Sequence, residues 1–492
     1  MPGNILFVVT NPDRWPLKVP GVDIVAARQY LADARFSQLR RCKVYNLSRS
    51  YSYQSLGYYV SLLAEARGHK PIPTASTLQD LKYQSLLRVV SGELEEEIQH
   101  SLAPLQSNSF TLSIYFSCNL AKRYRRLSRL LFNLFPVPLL RAQFKRSAGK
   151  WSLQSISAIG ASDIPDSHRS SVVAFAAEYF SKGSSVSKRK PARYRLAILA
   201  GKDPTPPSDE KALRRFSDAA EDLSIATEII DKDDYGRLED FDALFIRETT
   251  AVNNHTYRFA RRAEAEGLVV IDDPISILRC TNKVYLAELL TRHKIPIPRT
   301  EYLNEENTEQ VLATLGLPCI LKQPDSSFSL GVVKVETQRE FTASVSQLLE
   351  KSDILIAQEF MRTDFDWRIG IIDRKPLYAC QYFMARGHWQ IYNAAAPDKE
   401  SADFSGNART LPVEMVPKRI LKTALKAANL IGDGFYGVDV KEVDGKPYLI
   451  EINDNPSIDA GVEDKILHRT LYERVMEVFY RRLESKRLTN HS

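Results

Sequence analysis

The stretch YGVDVKEVDGKPYLIEINDNPSID, residues 436 to 459, contains two strand-like runs separated by an Asp-Gly turn. The runs carry three oxygen-bearing side chains, Asp439, Glu451 and Asn453. Two carboxylates and an amide are hard ligands, which suit Mg²⁺ shared between protein and phosphates better than they suit zinc. The stretch therefore predicts a β-hairpin that holds a divalent cation, with a nucleotide as the partner.

The length of the hairpin loop decides whether these side chains converge. Side chains alternate between the two faces of a strand, so a shift of one residue reverses the face. A two-residue turn at 444–445 would set Asp439 opposite Ile450 and point it away from Glu451. We therefore predict a three-residue loop, 444–446, which sets Asp439 across from Glu451. An ordinary hairpin with acidic residues on its wet face is the alternative.

Length and composition predict a folded protein of two to four domains. A chain of 492 residues is too long to fold around one hydrophobic core. Its content of 44% apolar and 26% charged residues is ordinary for globular proteins. No 18-residue apolar run and no signal-peptide pattern appear, so we expect no membrane partner and a cytoplasmic location. The cysteines are scattered and predict reduced, buried thiols. They are Cys42, Cys118, Cys280, Cys319 and Cys380.

The chain divides at FSKGSSVSKRKPAR, residues 180 to 193, which has the composition of a linker. Before it, strand-like runs alternate with helical patterns such as SYQSLGYYVSLLAEARG, which predicts an α/β domain. After it, a βαβαβ pattern without GxGxxG predicts a short parallel sheet that does not bind a dinucleotide. Beyond Ser276 the pattern becomes mixed α+β. The predicted boundaries are 1–180, 181–193, 194–278 and 279–485.

Two further segments favour a phosphate-bearing ligand. PCILKQPDSSFSLGVVKV, residues 318 to 335, predicts two strands around a loop of small residues that follows Lys322. ILIAQEFM, residues 354 to 361, predicts a strand whose polar end can pair with an adenine edge. Lys283 lies on a predicted helix. Each feature alone also fits an ordinary surface hairpin, strand end or exposed lysine.

The order of these pieces, from Lys283 through Lys322, QEF, DWR and VD to EINDNP, resembles the ATP-grasp superfamily and most closely the RimK-type α-L-glutamate ligases. The resemblance covers about residues 195 to 480. It implies an α/β and α+β multidomain protein, in which a pre-ATP-grasp βαβ domain precedes a two-lobed ATP-grasp fold. The first 180 residues resemble the accessory domain that precedes some RimK-like ATP-grasp proteins.

The resemblance also implies a role for particular residues. Those that would bind ATP are Lys283, Lys322, Ser329, Gln358, Glu359, Phe360, Met361 and Asp366. The metal ligands would be Asp439, Glu451 and Asn453, and Arg368 and Arg386 would stabilise the phosphorylated acceptor. Asn393 and Asn455 would contact substrate. The sequence departs from the better-known ligases at HWQIYN, residues 388 to 393, where Gln and Ile replace an Arg-Ser-Asn arrangement.

The implied activity is an ATP- and Mg²⁺-dependent carboxylate–amine ligase, with Mn²⁺ as a substitute metal. We expect it to add an amino acid such as glutamate to a protein or peptide carboxylate through an acylphosphate. A small-molecule ligase of the glutathione-synthase kind is one alternative. A ribosome- or RNA-binding module with an inactive grasp domain is another, because residues 119 to 150 hold nine Lys/Arg and no Asp/Glu. That stretch predicts an acidic partner, with ribosomal acceptors among the candidates, and a homo-oligomer stays open.

Overall fold

The structure is a computed structural model. It describes residues 5–15, 17–19, 22–39, 42–82, 94–182, 192–201, 206–325, 331–385, 389–391 and 406–489. The chain divides into two units, one formed by Met1–Pro191 with Asp233–Asp240 and the other by Ala192–Lys232 with Phe241–Ser492. Most of the predicted linker lies outside the described residues, and the predicted domain boundaries stay predictions.

The first unit contains one parallel and one antiparallel sheet. Its described strands are β1 (Ile5–Val9), β2 (Asp23–Ala26), β3 (Lys43–Leu47), β4 (Lys70–Ile72), β5 (Ser109–Tyr115), β6 (Leu139–Ser147) and β7 (Lys150–Ala158). The orders are β2-β1-β3-β4, all parallel, and β5-β6-β7, antiparallel. The run ILFVV is apolar throughout because β1 is covered on both faces: Phe7 packs into one core, and Leu6 and Val8 into another.

The described helices of the first unit surround these sheets. They are α1 (Ala27–Ala32), α2 (Leu56–Ala66), α3 (Ala75–Asp80), α4 (Glu95–Leu102), α5 (Arg125–Leu134) and α6 (Arg169–Lys182). Helix α5 buries Leu127, Leu131 and Phe132 and turns its arginines outward. Four of the nine cations in the basic stretch form ion pairs with acidic residues elsewhere in the unit. The pairs are Arg125–Glu178, Arg126–Glu97, Arg129–Asp233 and Lys150–Glu95. The acidic partner of this stretch stays a prediction.

The second unit begins with the predicted parallel sheet. Its strands are β8 (Tyr194–Leu199), β9 (Ile225–Ile230), β10 (Ala243–Ile246) and β11 (Val269–Ile271), in the order β11-β10-β8-β9. Helices α7 (Glu210–Asp222), α8 (His255–Ala265), α9 (Pro274–Thr281) and α10 (Lys283–Arg292) follow its strands. Phe216 and Phe245 lie in the core beside this sheet, where Phe245 contacts Phe479.

Two antiparallel sheets complete the second unit, as the two-lobed prediction requires. The four-stranded sheet has β12 (Thr300–Leu303), β13 (Cys319–Lys322), β14 (Val332–Val335) and β15 (Leu355–Glu359), in the order β12-β15-β13-β14. The five-stranded sheet has β16 (Phe365–Ile372), β17 (Lys375–Phe383), β18 (Ala408–Leu411), β19 (Phe435–Val443) and β20 (Lys446–Asn453), in the order β18-β17-β16-β19-β20. The helices are α11 (Thr308–Leu315), α12 (Gln338–Leu349), α13 (Lys418–Ile431) and α14 (Arg469–Thr489).

The β19–β20 hairpin corrects the predicted loop. The turn has two residues, Asp444 and Gly445, both at positive φ (50° and 70°), which is the geometry of a type I′ turn. The predicted three-residue loop is therefore wrong. Asp439 nevertheless lies opposite Glu451, as predicted, because the register shifts between Asp439 and Val440 and leaves Ile450 as the extra residue of a β-bulge.

Two smaller expectations have clear outcomes. All five cysteines are free; four are buried as predicted, but Cys118 is only half-buried, so the prediction of buried thiols is wrong there. In the described part of the chain, every helix is either too short or too polar to cross a bilayer.

Gly370 provides a test of how tightly the five-stranded sheet is packed. A Cβ built on Gly370 would overlap the ring of Tyr378, which is 2% exposed and donates a hydrogen bond to the Ser457 carbonyl. We expect Gly370→Ala to destabilise the second unit by about 1 to 3 kcal/mol, the usual cost of overpacking. The midpoint of chemical denaturation measures this. Gly160→Ala is the control, because its Cβ would meet nothing nearer than 3.5 Å; equal midpoint shifts would contradict the packing.

Candidate active site

Three charged side chains form one row across the five-stranded sheet. Arg368 on β16 lies opposite Asp439 on β19, which lies opposite Glu451 on β20. The guanidinium of Arg368 donates from Nε to Oδ1 of Asp439 at 2.7 Å and from Nη2 to Oδ2 at 2.6 Å. Such a two-pronged pair fixes the orientation of both groups. The row is thus a rigid feature of the sheet face.

Neighbouring side chains extend this row into a polar surface. Lys283 on α10 places Nζ 3.5 Å from Oε1 of Glu451. The amide of Asn453 lies two residues further along β20 and donates to Oδ2 of Asp439 at 3.4 Å. The three predicted metal ligands are therefore together on one face.

The predicted ribose contact, Asp366, lies next to the row and has a partner that the sequence interpretation missed. Lys441, two residues after Asp439 on β19, places Nζ 2.5 Å from Oδ1 of Asp366. Alternation along β19 puts Lys441 on the same face as Asp439, and this is the signal that would have found it. Thr363 also donates to Asp366.

Lys322 reaches the same region from the four-stranded sheet. Its Nζ donates to Oε1 of Gln358 at 2.6 Å, and Gln358 donates in turn to Oγ1 of Thr300 at 2.9 Å. Burial lowers the pKa of Lys322 to about 8, although the negative charge of Glu451 opposes this. In the described part of the chain Lys322 has a neutral partner, whereas Lys283, Lys441 and Arg368 each face a carboxylate.

A cleft lies between the two sheets and α10. Its walls are mainly apolar, with two lysines and one amide at polar positions. The lining residues are Lys283, Leu286, Ala287, Leu290, Ile297, Lys322, Ile356, Gln358, Leu449 and Ile450. The bulged residue Ile450 therefore lines the cleft, so one irregularity both aligns the carboxylates and shapes the cavity wall. Mostly apolar walls with a few placed polar groups are typical of small-molecule sites.

The other predicted hinge residues follow directly on Gln358. Glu359 accepts from the backbone N–H of Arg299 at 2.8 Å and from its guanidinium at 3.2 Å. Phe360 lies under Nζ of Lys334, 4.5 Å from the ring centroid, and Met361 is half-buried. The chain therefore keeps Glu359 paired outside the cleft, while Gln358 faces into it.

The donor set fits a divalent cation. Burial raises the pKa of Asp439 above its ordinary value; Arg368 opposes the rise, and the nearby Glu451 adds to it. A buried carboxylate that faces a second carboxylate is stabilised by any further positive charge. Within the described residues, no group of three or more acidic, histidine or cysteine side chains is placed to hold a metal ion by itself. The protein thus offers Asp439, Glu451 and the Asn453 amide, a partial shell that leaves positions for phosphate oxygens.

Arg368 also contacts the buried Tyr382, which is hydrogen-bonded to the buried Glu463. Its guanidinium carbon lies 5.0 Å from the centre of the Tyr382 ring. The Tyr382 hydroxyl donates to Oε1 of Glu463, and the backbone N–H of Asp459 donates to Oε2 at 2.7 Å. Burial raises the pKa of Glu463 to about 7. Tyr382 and Glu463 are 81 residues apart, so no local pattern could have joined them.

A buried arginine ties the segment after the metal-ligand residues to the parallel sheet. Arg247, at the end of β10, is 1% exposed and donates to Oδ1 of Asn455 at 2.6 Å and to the Pro456 carbonyl at 2.7 Å. Asn455 in turn donates to the Glu248 carbonyl at 2.6 Å. Both the oxygen and the nitrogen of the Asn455 side-chain amide are thus hydrogen-bonded within the protein. The predicted contact of Asn455 with substrate stays a prediction. Burial lowers the pKa of Arg247 to about 10.

Three predicted site residues lie outside the described residues. They are Ser329, Arg386 and Asn393.

Two family models match separate parts of the chain. Residues 27–175 match the RimK-like ATP-grasp N-terminal domain, and residues 290–460 match the D-Ala D-Ala ligase C-terminus. The second match spans both antiparallel sheets and the row of charged residues.

Curated relatives agree with these matches. A probable α-L-glutamate ligase of Thioalkalivibrio sulfidiphilus is 25% identical over 230 residues, which are 46% of this chain and 72% of the relative. A probable α-L-glutamate ligase of Aliivibrio fischeri is 26% identical over 230 residues, which are again 46% of this chain and 72% of the relative. Together, the two family models and these relatives support an ATP-grasp, RimK-like protein of the class of ATP-dependent carboxylate–amine ligases.

Solved structures that are similar to part of this chain include the following two. A D-alanine–D-alanine ligase from Bacillus anthracis has a TM-score of 0.46 and 16% identity, covering 60% of this chain and 100% of its own. A RimK domain protein from Sphaerobacter thermophilus has a TM-score of 0.43 and 17% identity, and the match covers 57% of this chain and 98% of that protein's chain.

The raised pKa of Glu463 predicts a pH-dependent stability. An acid that holds its proton more tightly when folded stabilises the fold at low pH, and this contribution is lost as pH rises through the folded pKa. Between pH 4.5 and 7.5 the parent should therefore lose about 3 kcal/mol relative to Glu463→Gln. The glutamine keeps both bonds, since its amide can donate to Tyr382 and its oxygen can accept from Asp459. Denaturation across this pH range measures the difference, and parallel curves for the two proteins would refute it.

Proposed function

We propose that the protein is an ATP- and Mg²⁺-dependent ligase that joins an amino acid, such as glutamate, to a carboxylate of a protein or peptide. The observation that carries the proposal is the row of Arg368, Asp439 and Glu451 beside a cleft that Lys283 and Lys322 also line. Oxygen ligands for a cation and positive charges for phosphates are the two requirements of phosphoryl transfer.

The side chains of the cleft would bind the nucleotide in complementary ways. The apolar wall formed by Leu286, Ile356 and Leu449 accepts the base. Lys322 and Lys283 hold the phosphates; in the structure their ammonium groups contact Gln358 and Glu451 instead. The Asp366 carboxylate accepts a hydrogen bond from a ribose hydroxyl and keeps its ion pair with Lys441. These exchanges need only rotations of side chains that are already in place.

The reaction itself needs no protein nucleophile. The acceptor carboxylate attacks the γ-phosphoryl group, ADP leaves, and an acylphosphate forms; the amine of the donor then attacks the carbonyl, loses a proton, and displaces phosphate. Arg368, fixed by Asp439 and by the Tyr382 ring, directs its positive charge at the transferring group. A Mg²⁺ held by Asp439, Glu451 and Asn453 would neutralise the phosphate charge when bound.

A macromolecular acceptor is supported by the N-terminal domain. Small substrates need only the cleft, yet this chain carries a further unit with its own sheets and cores. The relatives named as glutamate ligases support glutamate as the donor. The test is to incubate the purified chain with lysate, MgATP and labelled glutamate. Label in macromolecules, identified by mass spectrometry, supports the proposal; label only in small γ-glutamyl products overturns the macromolecular acceptor, and no incorporation overturns the glutamate donor.

The role of Glu451 gives a direct prediction. Glu451→Gln removes one charge of the cation site but keeps size and hydrogen-bonding capacity, so the fold should persist. We expect acceptor-dependent phosphate release to fall at least 100-fold, since a lost metal-ligand charge acts on the transition state. Steady-state phosphate release at saturating MgATP measures this. The matched control is Glu414→Gln at an exposed position, and equal rates for the two variants would remove Glu451 from the site.

A further inference from the structure

The first unit has a topological switch point that the proposed ligase chemistry does not use. In the parallel order β2-β1-β3-β4, the chain leaves β1 toward one side of the sheet and leaves β3 toward the other. In open parallel sheets, ligands bind outside the carboxyl ends of the two strands at which the direction reverses. Those ends are Val9 of β1 and Leu47 of β3.

The two strand ends are bridged, and helix α2 begins beside them. The backbone N–H of Arg49 donates to Oγ1 of Thr10 at 2.9 Å. Ser55 caps α2 by accepting from the N–H of Tyr58 at 3.3 Å. Helix N-termini attract anions because their first N–H groups are not used within the helix. A helix start alone does not make a site, but three further groups meet here.

One of these groups is a buried hydroxyl without a partner. Ser48 is 1% exposed, and its Oγ has no hydrogen-bond partner within the described part of the chain. Ser48 directly follows β3, and its backbone N–H donates to Oδ1 of Asn46 at 3.3 Å. The Asn46 amide in turn donates to the Gly57 carbonyl in the first turn of α2 at 2.6 Å. A Cβ on Gly57 would lie 2.8 Å from Cβ of Ser48. The free hydroxyl therefore lies at the start of α2.

The second group is a cation. Arg49 is exposed, and among the described residues no carboxylate lies within ion-pair distance of its guanidinium. The loop 48–55, SRSYSYQS, holds this one cation, four serines and no acid. Hydroxyls, backbone N–H groups and a guanidinium are all donors, which suits a ligand that only accepts.

The third group is a cluster of exposed aromatic rings. Tyr53 is 65% and Tyr59 37% exposed, and Tyr58 lies between them, with ring centroids 5.2 Å from Tyr53 and 5.5 Å from Tyr59. Large exposed rings in contact with one another offer a surface for a planar group. The segment SYQSLGYYVSLLAEARG, whose pattern predicted the helix, supplies all three tyrosines.

We propose that this edge of the N-terminal sheet is a second ligand site, which binds an anionic group, phosphate or carboxylate, attached to a planar body. Ser48, Arg49 and the start of α2 bind the anion, and Tyr53, Tyr58 and Tyr59 contact the planar part. The site lies in the first unit and does not depend on the ligase assignment.

The test uses the full chain and three probes of the same ring type. UMP carries a phosphate, orotate carries a carboxylate, and uridine carries neither. We expect saturable binding of UMP or orotate by isothermal titration in low salt, with uridine at least tenfold weaker. Tighter binding of UMP than of orotate identifies phosphate as the anionic group that the site binds, and tighter binding of orotate identifies carboxylate. Absence of saturable binding for both charged probes overturns the proposal.

Variants assign the binding to this edge. Arg49→Ala should weaken the charged probe at least tenfold, and Tyr53→Ala should weaken all probes alike; both side chains are exposed, so the fold should persist. Arg28→Ala, an exposed arginine on α1, is the matched control. Lys322→Met should leave this binding unchanged, which separates it from the ATP cleft. Binding that is lost in Lys322→Met and kept in Arg49→Ala overturns the site.

Ser48→Ala separates a ligand contact from a structural role. Removal of an unpartnered buried hydroxyl should raise the thermal midpoint, while binding of the charged probe weakens. A lower midpoint would mean that the hydroxyl supports the fold, and it would remove Ser48 from the site.

Discussion

The site depends on the register of β19 against β20. A two-residue turn followed by regular pairing would set Asp439 against Ile450 and send Asp439 and Glu451 to opposite faces. The bulge at Ile450 restores the alignment four strand positions from the turn, and it places Asp439 between Arg368 and Glu451. A bulge adjacent to functional side chains re-aims them without changing the rest of the sheet. The extra residue, Ile450, also lines the cleft.

The charges of the site compensate one another. Asp439 has Arg368, Glu451 has Lys283, and Asp366 has Lys441. Buried charges are costly unless they are paired, so a site that needs both signs is most stable when they meet. The proposed nucleotide and its cation supply negative phosphate charge and positive metal charge. Each charged side chain of the site can therefore exchange its protein partner for a group of the ligand. Of the four site cations Lys283, Lys322, Arg368 and Lys441, Lys322 is the one whose hydrogen-bond partner in the described part of the chain is neutral, and burial lowers its pKa.

Sequence alone predicted the features that depend on local pattern. The two strand-like runs of the stretch 436 to 459 lie in β19 and β20, and the parallel sheet follows the βαβαβ pattern. The bulge was missed because Asp-Gly specifies the turn, whereas the position of an extra residue depends on packing against the cleft. The contact between Tyr382 and Glu463 and that between Arg247 and Asn455 were missed because they join distant parts of the chain. The sequence could not predict the unpartnered Ser48 hydroxyl either, because its burial depends on the packing of α2 against the end of β3.

The central claim is that this row of side chains holds a divalent cation against a nucleotide. A crystal structure with a non-hydrolysable ATP analogue and Mg²⁺ tests it most directly. The account predicts a cation about 2.1 Å from oxygens of Asp439 and Glu451 and from phosphate oxygens, with Nζ of Lys322 moved from Gln358 to the phosphates. A nucleotide bound elsewhere, or a cation that touches neither carboxylate while Arg368 and Lys283 keep their present partners, would contradict it.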